Sequence, residues 1–216
     1  MKMPSTKAKV KAFTLVELLA VIFVIAVLAA MLLPAHVGHG PGKWSKCLNN
    51  LKQVDLSFVI FADDNQGHFP MQIPVANGGT MEFIYSGHSF PHFQKIKEYI
   101  RDPRLLICPF ETNRQAAVSF EALNDLNISY FLNADASTNS PSRTILAGDR
   151  FLQVNGQLIQ PGLFVLTTNS NVSWTPNFHV RSGHLAFADG HVEFTINPLN
   201  SFIQNQPLAT NRLCIP

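Results

Sequence analysis

The first apolar run in the chain is 21 residues long, from Phe13 to Leu33, and its only polar members are Thr14 and Glu17. Such a run predicts a helix apolar on every side, roughly 30 Å long at about 1.5 Å per residue, which matches the hydrocarbon core of a bilayer. It exceeds the roughly 7–15 apolar residues of a cleaved secretory signal, so a transmembrane helix is expected over 13–34. Residues 35–43, AHVGHGPGK, break the pattern with three Gly and one Pro, and predict a hinge. From Trp44 the period changes. Trp44, Cys47, Leu48, Leu51, Val54, Phe58 and Phe61 recur at three and four, which predicts a second, amphipathic helix. Its stop falls in Asp63-Asp64-Asn65-Gln66-Gly67, where Gly67 can take the left-handed conformation.

From Ser129 onward short β-rich runs alternate with turn residues: Arg143 to Ala147, Phe151 to Val154, Gln157 to Gln160, Leu163 to Thr167 and His184 to Ile196. They predict an antiparallel sheet against which the second helix packs. Asn155-Gly156 and Asp189-Gly190 read as two-residue hairpin turns. The second would pair Ala188 with His191, Phe187 with Val192 and Leu185 with Phe194, placing Leu185, Phe187, Val192 and Phe194 on one face. The fold class expected is α+β, with an exported domain over 44–216.

A length of 216 residues suits one membrane segment and one domain of ordinary size. The formal charge of +2 is misleading, because Lys2, Lys7, Lys9 and Lys11 crowd the first 12 residues; the remainder holds 12 basic residues against 14 acidic. The body has no Lys/Arg-rich stripe for a nucleic acid. The leading lysines instead orient the N-terminus towards the cytoplasm, which puts everything after Pro34 on the other side of the inner membrane. Glu17 is out of place in a plain anchor, since a carboxylate in a spanning helix costs about 2.5 kcal/mol or more and marks a functional site by default.

The residues Lys11-Ala12-Phe13-Thr14-Leu15-Val16-Glu17-Leu18-Leu19 resemble the processing site of type IV prepilins and type II secretion pseudopilins. That resemblance implies a leader over 1–12, removed by a prepilin peptidase that cuts between Ala12 and Phe13 and methylates the new amine. It makes Glu17 the acidic assembly residue and Pro34 the proline that ends the apolar half-helix. Gly usually precedes the cut in that family, and Ala12 stands in its place. His179, nine residues, then Asp189-Gly190 is similar to a C-terminal His-x9-Asp-Gly signature of one prepilin-type subfamily, and CLNNLKQ from Cys47 with FADDNQGHFP from Phe61 adds to the likeness. The implied function is a structural subunit of a pilus or secretion pseudopilus, whose partners are the peptidase and other pilin subunits. The alternative is an anchored binding module, either a minor tip subunit or a lone displayed domain.

Other chemistry finds little support in the sequence. The acidic turn at Asp63 fails the calcium-loop template, with Gly67 one position early and Pro74 where the bidentate Glu belongs. His179, His184 and His191 lack a zinc-motif spacing, and a two-residue turn would set His184 and His191 roughly 13 Å apart on one face. No metal, cofactor or catalytic residue is assigned, since nucleophile elbows, phosphate loops and dinucleotide fingerprints are all missing. The three cysteines are Cys47, Cys108 and Cys214. An oxidising compartment allows a Cys47–Cys108 disulfide; the other reading is three small thiols.

Overall fold

A computed structural model of the chain describes residues 13–32, 42–176 and 179–216, and divides into two units, Met1–Gly40 and Pro41–Pro216. The leader with Ala12, the proline at 34 and all but the end of the expected hinge lie outside the described residues.

In the first unit, helix α1 spans Leu15–Leu32 and exposes every side chain from Phe13 to Ala29. Its 18 residues are fewer than the 21 of the apolar run, and among the described residues no helix is long and apolar enough to cross a membrane. The expected span over 13–34 is therefore described only as a shorter helix.

The second unit opens with α2, Lys43–Asp64, whose first residue falls inside the expected hinge. Its period buries one stripe of Cys47, Leu51, Val54, Asp55, Phe58, Phe61 and Ala62. Each fully buried Leu, Val or Phe there contributes roughly 1.5–3 kcal/mol. The helix ends as the acidic turn predicts: Gly67 is left-handed and its N–H donates to Ala62 O (2.8 Å). Two short helices follow, α3 (Phe90–Lys95) and α4 (Lys97–Ile100). Asp125 Oδ1 anchors the start of α3 by accepting from the N–H groups of Ser89 and Phe90 and from the Ser89 hydroxyl, each at 2.9 Å.

The strands are β1 (Tyr130–Asn133), β2 (Ile145–Asp149), β3 (Leu152–Val154), β4 (Gln157–Leu158), β5 (Gly162–Thr167), β6 (Val172–Trp174), β7 (Ser182–Phe187), β8 (Val192–Ile196) and β9 (Thr210–Ile215), with α5 (Asn200–Gln204) before β9. They form two antiparallel sheets rather than one: β5-β9-β1-β2-β7-β8 and β4-β3-β6. Alternate residues of the larger sheet enter different cores. Tyr130, Leu132, Ala186 and Cys214 pack with α2, whereas Phe131, Leu185, Phe187, Leu213 and Ile215 pack with Leu152, Val172 and Trp174 of the smaller sheet and Ile203 of α5. Leu213, Cys214 and Ile215 of β9 enter the two cores in turn after the polar Thr210, Asn211 and Arg212, so the strand shows no alternation of polar and apolar positions in sequence.

The two hairpins differ. Asn155 and Gly156 are both left-handed and form the expected two-residue turn, pairing Val154 with Gln157. At Asp189-Gly190 only Gly190 is left-handed; Gly190 N–H donates to Phe187 O (2.9 Å) and Phe187 N–H to His191 O (3.0 Å). This three-residue loop is a type I turn followed by a glycine bulge. The extra residue slips the expected register by one, pairing His184 with Phe194, Leu185 with Glu193 and Ala186 with Val192. Leu185 and Phe187 consequently do not share a face with Val192 and Phe194, and His184 and His191 point to opposite faces.

Candidate functional site

Thr14 is the N-cap of α1. Its N–H donates to Glu17 Oε2 (2.9 Å), its hydroxyl donates to the same oxygen (2.8 Å), and Glu17 N–H donates back to Thr14 Oγ1 (3.3 Å). This is a reciprocal capping box, which satisfies two of the orphan donors at a helix start. The Thr-x-x-Glu spacing is legible in the sequence, but the role of Thr14 as the cap is visible only in the hydrogen bonds. Phe13 and Glu17 stand within one turn of each other at the exposed start of the helix.

In the second unit Cys47 of α2 and Cys108 are joined by a disulfide with Cα atoms 5.0 Å apart, both buried. Closing a loop over 61 residues contributes about 4 kcal/mol in the chain-entropy description. Cys214 on β9 is a free buried thiol, and burial pushes its pKa up to about 12.

His179 sits on this disulfide, with Nε2 3.2 Å from Cys108 Sγ and its ring between Trp44 (4.7 Å) and Phe110 (4.4 Å). Burial pulls its pKa down to about 4, against the opposing pull of Asp149, so the imidazole is neutral at pH 7. His179, Val180 and Arg181 are all left-handed, at φ 48°, 52° and 62°. For residues with a Cβ this conformation costs about 1 kcal/mol or more each, and strain of this kind gathers at functional sites.

Asp149, the last residue of β2, completes the cluster. Continuing the Gly148–Leu185 pairing sets it opposite His184 of β7. Asp149 Oδ2 accepts from His184 N–H (2.8 Å) and lies 3.1 Å from His184 Nδ1 and 3.5 Å from His179 Nδ1. Asp149 carries no motif in the sequence, and only the pairing of β2 with β7 reveals it.

The two ends of the His-x9-Asp-Gly signature do not meet. They flank β7, and both touch α2: His179 stands against Trp44, and a Cβ on Gly190 would lie 3.7 Å from Val59 Cγ2. Trp44 and Val59 are about four turns apart, roughly 22 Å along the helix. The spacing of the signature thus measures the length of strand that α2 covers. At the far end the Asp189 carboxylate binds His191 Nδ1, and the His191 ring stacks on Phe187 (4.3 Å). Asp55 lies beneath, fully buried; burial first and the Asp189 charge second raise its pKa to about 8.

Similarity to known proteins is confined to the N-terminal end. The prokaryotic N-terminal methylation motif matches residues 7–33, the stretch that contains the Thr14–Glu17 box and most of α1. The match is consistent with a type IV prepilin or pseudopilin-like protein and implies a prepilin peptidase as processing partner. No curated protein and no solved structure matches the chain.

Proposed function

We propose that the chain is a pilin-like structural subunit. A prepilin peptidase cuts it between Ala12 and Phe13 and methylates the Phe13 amine; α1 holds it in the inner membrane and then packs into a pilus or secretion pseudopilus. The unit Pro41–Pro216 stands on the periplasmic or extracellular side, and no catalysis is part of this reading. The observation that carries it is the exposed helix, apolar throughout except for Glu17, that begins with the Thr14–Glu17 box inside the methylation motif. An apolar surface of this extent needs lipid or like helices to cover it. The buried disulfide supports an oxidising compartment for the second unit.

The box also gives Glu17 a place to wait. Before assembly Thr14 satisfies one carboxylate oxygen with two hydrogen bonds. In a filament the Phe13 amine of a neighbouring subunit offers a full positive charge, and a charge-assisted bond is roughly twice as strong as a neutral one. N-terminal mass spectrometry should find a mature chain that begins with N-methylated Phe13. Glu17→Ala should insert and be cleaved normally but enter filaments or crosslinked oligomers at least about tenfold less. Glu17→Gln separates charge from cap, because an amide can keep the box but cannot pair with the amine; it should fail like Ala. If Glu17→Ala assembles at the parental level while Phe13 is the mature N-terminus, the charge-pair reading is wrong, and a displayed binding module takes its place.

A further inference from the structure

We infer that Asp149, His179 and His184 form a zinc site, with Asp149 Oδ2, His179 Nδ1 and His184 Nδ1 as ligand atoms. The histidine of the His-x9-Asp-Gly signature is then a metal ligand, and the site's work is structural: it ties the end of β2, the start of β7 and the left-handed segment before β7 together.

Geometry is the first support. The carboxylate oxygen lies 3.5 Å and 3.1 Å from the two imidazole nitrogens, and one ligand atom from each of the three residues falls within 4.8 Å of the others. A tetrahedral zinc with bonds of about 2.0–2.1 Å sets its ligands roughly 3.3–3.4 Å apart. Asp149 Oδ1, buried and without a hydrogen-bond partner, can make the carboxylate bidentate.

Charge is the second support. The three side chains are between 0 and 2 % exposed, and a carboxylate buried this deeply is unfavourable unless it is paired or coordinates a metal. The adjacent Arg150 is engaged elsewhere: its Nε lies 3.0 Å from Glu111 Oε2 and its guanidinium 4.0 Å over the Phe151 ring. Zn2+ supplies a positive charge, and the Trp44, Phe110 and Phe194 rings pack around the histidines.

Proton placement is the third. A neutral imidazole carries one N–H. A disulfide sulfur has no proton to offer, so the 3.2 Å contact of His179 Nε2 with Cys108 Sγ is favourable when Nε2 bears it. The Nδ1 lone pair then faces the Asp149 carboxylate, an arrangement that a cation between them makes attractive. Cys47, Cys108 and His179 are also close enough to hold a metal, but only with both cysteines reduced. Zinc on the intact disulfide chain therefore belongs to the Asp149 set.

The test uses the full chain extracted in detergent, disulfide intact, stripped with chelator and titrated with Zn2+. One zinc per chain is expected, with Tm rising by about 5 °C or more once zinc exceeds Kd 100-fold. Asp149→Asn and His184→Ala should weaken binding about 100-fold or more, whereas His191→Ala should leave it unchanged. X-ray absorption of the zinc-loaded parent, which needs no variant to fold, should show nitrogen and oxygen at about 2.0–2.1 Å. Failure of the parent to take up zinc, equal uptake by His184→Ala, or sulfur at about 2.3 Å would each overturn the assignment.

Discussion

Helices α1 and α2 both carry many large apolar residues, and they treat them in opposite ways. Along α1 the apolar residues occupy every face, and Phe23, Ile22 and Leu18 are all more than half exposed. Along α2 they recur at three and four, and Leu51, Val54 and Phe58 are fully buried. A stripe can be satisfied by one sheet of the same chain, as that of α2 is; an all-round apolar cylinder needs apolar surroundings on every side.

The contrast can be tested by removing one phenyl ring from each helix of the full chain. Phe58→Ala should destabilise the second unit by about 3–5 kcal/mol, because Phe58 packs edge-on against Phe69 (6.5 Å) and Phe93 (5.6 Å) with no solvent to refill the space. Phe23→Ala, at a position 66 % exposed, should leave thermal unfolding of that unit unchanged within about 0.5 kcal/mol. Comparable losses in the two variants would erase the distinction.

A second variant asks what α2 conceals. Asp55 has a folded pKa of about 8 against an ordinary 3.8, so the folded chain holds its proton more tightly than the unfolded chain. Its contribution is complete below about pH 4 and is lost as pH rises through 8. Asp55→Asn does not titrate. Denaturant unfolding should therefore show the variant gaining on the parent by about 2–3 kcal/mol between pH 5 and 8, within the limit of roughly 1.4 kcal/mol per pH unit. Parallel profiles would mean that Asp55 is not held neutral against the sheet.

The smallest effect is expected at the far end of α2. Gly190 has φ 89° and faces Val59, so Gly190→Val should cost about 1–2 kcal/mol through strain at a left-handed position. An unchanged Tm would show that the bulged turn does not hold β7 and β8 against the helix.

The two hairpins mark how far the sequence could be read. Asn155-Gly156 is a local instruction, since both residues tolerate left-handed backbone and the flanking residues need only follow. Asp189-Gly190 resembles it in sequence but forms a bulge, because Phe187 must reach the core of the smaller sheet while Ala186 and Val192 face α2. Tertiary packing chose that register. The same limit hides the zinc cluster: a two-residue turn puts His184 on one face with His191, whereas the bulged register separates them, and Asp149, 35 residues before His184, meets it only through the pairing of β2 with β7.

What the sequence determined by itself was whatever depends on neighbours a few positions apart: the apolar run of α1, the stripe and stop of α2, the Thr14–Glu17 spacing and the Asn155-Gly156 turn. Hydrophobic period and backbone preference act over that range, and they act before the chain has any shape. The tertiary structure alone decided the split into two sheets, the slipped hairpin, the burial of Asp55 and the meeting of Asp149, His179 and His184. Those depend on which strands become neighbours and which face each core claims, and that choice is made by the packing of the whole unit rather than by any segment within it.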